Sequence, residues 1–190
     1  MASPFKSAGR LRLHVHACAL ALCLVTACGG AGPYGFSRTY SPLVSERSHY
    51  ESAEELPYEQ VKTSPYDYKT QEITWFGVVE NLAELPDGRT ELTLAVRLHQ
   101  TRHLCKDEYE DSCRLTVSDT STGKFIARLK LNAKEKTGKE RVWLGSLLKI
   151  YGHPTGDYDD HGDPVIDTTY YRHWPRGTYV TTAQRAAMTR

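Results

Sequence analysis

The sequence predicts an all-β protein: a small barrel of five to six strands, preceded by a signal peptide and an irregular tether. Two observations carry this. From Ile73 onward, apolar and polar residues alternate with period two over short stretches. Between those stretches fall compact turn signals, with hardly a segment of helical period among them.

The strands follow in order. Ile73, Trp75, Gly77 and Val79 alternate with Thr74, Phe76, Val78 and Glu80. Leu85-Pro86-Asp87-Gly88-Arg89 then turns the chain, and Asp-Gly is a strong hairpin signal. Leu92, Leu94, Val96 and Leu98 give a half-buried second strand. A third strand is expected over about Cys113–Asp119, and a fourth stretch over Phe125–Leu131 after the Thr120–Lys124 turn. The charged run Ala133–Glu140 reads as a short helix or an excursion. Leu147–Gly152 and Val165–Trp174 read as strands, joined by a loop over His153–Pro164. Thr181–Arg190 is a short helix or a frayed tail.

Residues 1–27 read as a targeting segment. Lys6, Arg10 and Arg12 precede an apolar run, Leu13–Val25, of signal-peptide length and too short to span a bilayer. The run ends Val25-Thr26-Ala27-Cys28, followed by Gly29-Gly30-Ala31-Gly32-Pro33. That ending resembles the lipobox of bacterial lipoproteins. The resemblance implies a diacylglyceryl thioether on Cys28, cleavage before it and acylation of the new amino terminus. Several acyl chains, at ~0.8 kcal/mol per buried methylene, anchor stably where one would be marginal. Gly29 rather than Asp after the cysteine permits, by resemblance to Gram-negative lipoproteins, transport to the outer membrane, which is the expected location.

The domain plan is therefore a signal peptide (1–27), a Tyr-, Pro- and Ser-rich tether (28–71), a barrel (72–178) and a tail (179–190). Within the tether, Ser45–Leu56 is expected to form a helix of about three turns with Ser45 as N-cap. Its scattered tyrosines are expected to dock on the barrel.

Export changes the cysteine and charge arithmetic. Cys18 and Cys23 leave with the signal and Cys28 takes lipid, so Cys105 and Cys113 remain as one pair. An oxidising compartment favours their disulfide, with free buried thiols as the other arrangement. The chain has 24 basic and 23 acidic residues; without Lys6, Arg10 and Arg12 it has 21 against 23, a balance of −2. That gives no electrostatic footprint for nucleic acid.

The strand order, with a long first hairpin and a reduced helix before the fourth barrel strand, follows the OB-fold plan. The motifs sharpen it. Trp75-Phe76-Gly77-Val78-Val79, Thr122-Gly123-Lys124-Phe125-Ile126-Ala127, Gly145 to Gly156, Pro164-Val165-Ile166 and a final Tyr170-Tyr171-x-x-Trp174 resemble the Slp-type outer-membrane lipoproteins. The resemblance implies a small envelope lipoprotein with an OB-like barrel.

Catalytic signatures are missing: no Ser elbow, HExxH, P-loop or GxGxxG occurs. No cofactor is expected. His99 and His103 flank the second strand end beside Cys105. Asp157, Asp159, Asp160 and Asp163 form the sharpest carboxylate cluster, of a type that holds calcium, but Asp, Gly and His also build solvated hairpins. Trp75, Tyr151, Tyr171 and Trp174 are the candidate ligand surface near the barrel mouth. The reading is a lipid-anchored, non-enzymatic envelope protein whose barrel binds another envelope protein or an envelope component. Two alternatives stand beside it: a structural or stress-related envelope protein without a discrete ligand, and a small metal-dependent hydrolase.

Overall fold

A computed structural model describes residues 36–37, 40–100 and 113–187. Residues 1–27, expected to be a signal peptide, and Cys28, His103 and Cys105 lie outside the described residues.

Eight strands are described: β1 (Phe36–Ser37), β2 (Ile73–Glu84), β3 (Thr90–Arg97), β4 (Cys113–Val117), β5 (Lys124–Leu129), β6 (Leu147–Tyr158), β7 (Pro164–Trp174) and β8 (Tyr179–Thr181). Five of them close a barrel in the order β2-β3-β5-β7-β6. Every barrel pairing is antiparallel except β5 with β7, where Ile126 pairs with Val165. Counted along the barrel, the order is first, second, third, fifth, fourth, which is the OB plan. The fold is a small OB-like barrel.

The alternation of the sequence becomes the inside and outside of that barrel. Trp75, Val79, Leu92, Leu94, Val96, Phe125, Ala127, Leu148, Ile150 and Ile166 fill the interior. Burying a side chain of this size contributes roughly 1.5–3 kcal/mol. Gly77 points inward among them. A Cβ there would meet the Leu94 Cβ at 2.8 Å and the Phe125 ring at 2.9 Å, so only glycine lets Phe125 fill the centre.

One strand is not where the sequence placed it. The expected third barrel strand is β4, and it lies outside the barrel. It pairs in parallel with β1 and β8 as a separate three-stranded sheet. Leu115 and Val117 pack with Phe76, Leu147 and Trp174 from the barrel's outer face. Period two reports a half-buried strand, but not which surface buries it, and here a second layer does so. The third barrel strand is β5.

Three further differences have local causes. The loop expected over His153–Pro164 shrinks to Asp159–Asp163, because β6 runs on to Tyr158 through a register shift that includes Gly156 at φ +89°. The three-turn helix is only α1 (Arg47–Ser52), and Glu46 rather than Ser45 stands at its N-cap. Ser45 instead exchanges a hydrogen bond with the Tyr170 hydroxyl at 3.0 Å. Finally, residues 40–71 are not loose. They form α1, α2 (Tyr58–Thr63) and a 3-10 turn (Pro65–Tyr68), with Glu46, Tyr58 and Val61 buried. The Trp75 indole N–H donates to Leu56 O at 2.6 Å. Glu72 accepts from Ser52 Oγ at 2.6 Å and lies 2.7 Å from His49 Nδ1.

The register defines two ends. The starts of β2, β5 and β7 and the end of β3 share one end, with the Asp159–Asp163 turn. The Leu85–Arg89 hairpin, the chain from Lys130 to Ser146 with α3 (Ala133–Lys136), and the end of β7 share the other.

Candidate functional site

The four aromatic residues expected to form one ligand surface are distributed over two sides of the barrel wall. Trp75 is interior, its ring 5.7 Å from Tyr58 and 5.3 Å from Phe125. Tyr171 packs half-buried against the same interior, and its hydroxyl donates to Glu135. Tyr151 and Trp174 are on the outer face, both buried, with Tyr151 fully so. On a strand, residues an odd number apart point to opposite faces, and Tyr171 and Trp174 are three apart.

The outer face holds a feature the sequence did not announce. Glu46 is fully buried against it. The Tyr151 hydroxyl donates to Glu46 Oε1 at 2.6 Å, and the Tyr40 hydroxyl donates to the same oxygen. The Leu43 N–H donates to Oε2 at 3.0 Å, and Arg172 Nη1 approaches it at 3.3 Å. Burial works against the charged carboxyl, but the two hydroxyls, the N–H and the guanidinium outweigh it, and Glu46 titrates below the ordinary carboxylate value. Burial likewise pushes both tyrosine hydroxyls well above their usual range.

Lys149 lies next to this network, 4 % exposed, in an aromatic cage. Its ammonium is 4.0 Å from the Tyr40 ring centroid, 4.7 Å from Tyr50, 4.9 Å from Tyr151 and 5.2 Å from Phe76. Burial pulls it down to about 8, against the attraction of Glu46 and Glu55. A lysine between Leu148 and Ile150 in an apolar strand was the one sequence clue. Glu46 gave none, since Tyr151 and Arg172, which bring it onto the barrel, lie more than a hundred residues away in the chain.

A cavity of about 450 Å³ opens where the Glu55–Glu59 segment crosses the barrel. Leu56, Pro57, Trp75, Val96 and Leu98 supply its apolar wall, and Glu55, Glu59 and Arg97 are its charged residues. Leu98 is half exposed there. This is the concave apolar feature with a few polar groups that a binding site requires. Of the four aromatics singled out from sequence, it takes in only Trp75.

The acidic loop is built as a turn. Asp159 Oδ1 accepts the N–H groups of His161 at 2.9 Å and Asp163 at 2.8 Å. Asp163 Oδ1 accepts from the Tyr58 hydroxyl at 3.3 Å and lies 3.4 Å from Lys62 Nζ. Asp157 and Asp160 point to solvent. His99 stacks on Phe76 with ring centroids 5.3 Å apart. Among the described residues, no group of three or more His, Cys, Asp or Glu side chains is placed to hold a metal ion. Cys113 opens β4, and its proposed partner Cys105 is outside the described residues.

No protein family matches this chain, and no curated protein matches it. Among solved structures, it is similar to a small single-stranded DNA-binding protein from Streptomyces coelicolor. The two are 17% identical, the match covers 54% of this chain and 91% of that one, and the TM-score is 0.33.

Proposed function

We propose that this chain is an exported lipoprotein, cleaved before Cys28 and lipidated there, whose barrel is a non-enzymatic binding module of the cell envelope. The observation that carries it is Val25-Thr26-Ala27-Cys28 at the end of a cationic and then apolar leader. Gly29 favours the outer membrane as the site of attachment. The partner is another envelope protein or an envelope component, and the groove over Trp75 and Leu98 is where it sits.

Charge pairing supports a partner other than nucleic acid. On the outer face of β3 and β5, Lys124 pairs with Glu80 at 2.7 Å and Arg128 with Glu91 at 2.9 Å. The Arg97 guanidinium donates to Asp119 O. Phe125 is the one aromatic on these two strands, and it is fully buried. A single-strand binder needs a cationic groove and exposed rings for stacking.

The test is Cys28→Ala in the producing cell. Fatty-acid labelling is expected to disappear and the protein to leave the membrane fraction. A Cys28→Ala protein that stays in the membrane fraction would sink the proposal.

A further inference from the structure

The chain between β5 and β6 has a chemistry that neither the barrel core nor the groove uses. Lys130, Lys134, Lys136, Lys139 and Arg141 are all exposed there. The acids of the segment are Glu135, which is taken up by Tyr171, and Glu140; Glu84 lies 3.9 Å from Lys136. This local excess of cations sits on a chain whose residues from 28 onward balance at −2. Beside the cations, Trp143 and Leu144 are 47 % and 43 % exposed.

The exposure is built into the turn. Val142 on one side and Ser146 on the other are buried. The Trp143 N–H donates to Ser146 Oγ at 3.1 Å, the Ser146 N–H returns to Trp143 O at 2.9 Å, and the Gly145 N–H reaches Val79 O at 2.9 Å. Gly145 takes φ +82°, which closes the turn. A rigid platform therefore holds an indole and an isobutyl group outward. The Arg141 guanidinium lies 4.5 Å from the indole ring centroid. An exposed Trp with an aliphatic neighbour, an Arg beside the ring and exposed Lys along the same segment suits the boundary between acyl chains and anionic headgroups.

The path of the chain gives an independent argument. Tyr179 at the start of β8 donates to Gly145 O at 2.9 Å, so the start of β8 lies at this turn. Leu115 pairs with Tyr179 in parallel, and Phe36 pairs with Cys113, two residues further toward the same end. With strands ~4.8 Å apart, β1 is about 10 Å from β8 across the small sheet. Cys28 is eight residues before Phe36, and eight residues reach at most about 29 Å.

We propose that the Lys130–Leu144 segment is a membrane-surface contact. Trp143 and Leu144 enter the acyl boundary, and Lys134, Lys136, Lys139 and Arg141 lie on the anionic phospholipid headgroups of the membrane that holds the Cys28 lipid. The proposal rests on the lipoprotein reading. It orients the barrel with the Trp143 turn toward the bilayer.

The purified lipidated protein, reconstituted into vesicles of phosphatidylethanolamine and phosphatidylglycerol brominated on the acyl chains, tests it. Trp75 and Trp174 are buried and serve as the unquenched reference. Part of the tryptophan emission is expected to be quenched, and that part to be lost in Trp143→Phe. Mass spectrometry of the amino-terminal peptide on the same sample reports the lipid. Lipid present without quenching overturns the surface contact and leaves the anchor standing; lipid absent overturns the anchor and the contact with it. Protection of Trp143 from iodide without bromolipid quenching would assign the patch to a second copy of this chain and overturn the proposal. A second measurement uses the unlipidated Cys28→Ser chain on the same vesicles without bromine. Replacing Lys134, Lys136 and Lys139 by Glu is expected to weaken its binding by roughly fivefold or more per residue. Unchanged binding would overturn the role of the cations.

Discussion

Glu46 decides how residues 40–52 sit on the barrel. A fully buried carboxylate is costly unless its oxygens are filled, and here Tyr40, Tyr151, Leu43 and Arg172 fill them. Glu46→Ala removes the acceptor of two buried hydroxyls and the carboxylate that faces Arg172, and should destabilise the protein by roughly 3–5 kcal/mol in urea unfolding. Glu46→Gln keeps the shape and removes the charge. Because Glu46 titrates lower in the folded state than in the unfolded state, its contribution is complete above the ordinary value of 4.5 and is lost as pH falls through its folded value. The stability gap between wild type and Glu46→Gln should therefore narrow on acidification below that point. A gap that stays constant with pH would show that Glu46 is not charged in the fold. None of this was legible in the sequence, where Glu46 is one acid among many.

At the scale of elements, short helices gain their stability from the surface they meet. A helix of six residues such as α2 has little stability of its own. It is held by Val61 and Tyr58, which are buried, and by the Tyr58 hydroxyl, which accepts from the Lys124 N–H at 3.3 Å and donates to Asp163. Gly123 makes room for the Tyr58 ring, since a Cβ at that position would overlap it. Gly123→Ala is expected to displace Tyr58 and cost roughly 1–3 kcal/mol, with a lower Tm and a change in the near-ultraviolet dichroism of tyrosine. An unaltered Tm would mean that α2 is not held in this way. The docking of the tyrosines was expected because isolated aromatics settle on the nearest apolar surface, but which tyrosine meets which glycine depends on two segments 65 residues apart in the chain. The strands were more legible than the helices, because alternation along β2 and β3 is a local pattern and burial of Tyr58 is not.

For the molecule as a whole, a barrel of five strands carries a second layer on one face, and that layer is made from both ends of the described chain and from β4. The proposed Cys105–Cys113 disulfide would tie the segment leading into β4 back toward the end of β3. In the chain-entropy model a loop of this size contributes roughly 2–3 kcal/mol. Thiol titration of the unreduced, denatured protein from the envelope should find neither Cys105 nor Cys113 free, and reduction should lower Tm. Two reactive thiols before reduction would refute the bond. The Trp143 turn and the Trp75 groove are lined by different residues, so one molecule has separate surfaces for a membrane contact and a partner contact.

What the sequence determined by itself is what local pattern can encode. Period two from Ile73 and the Asp87-Gly88 turn specified the strands and the first hairpin, and the order of strands specified an OB-like barrel. The proposed lipid site, too, would be a linear signal, read from residues 13–28 alone. Tertiary structure alone decided the partners. It sent β4 to an outer sheet, split Trp75 and Tyr171 from Tyr151 and Trp174, and brought Glu46, Lys149 and Arg172 together. The reason is physical: alternation fixes that one face of a strand must be buried, while the choice of covering surface is made by packing between segments distant in sequence.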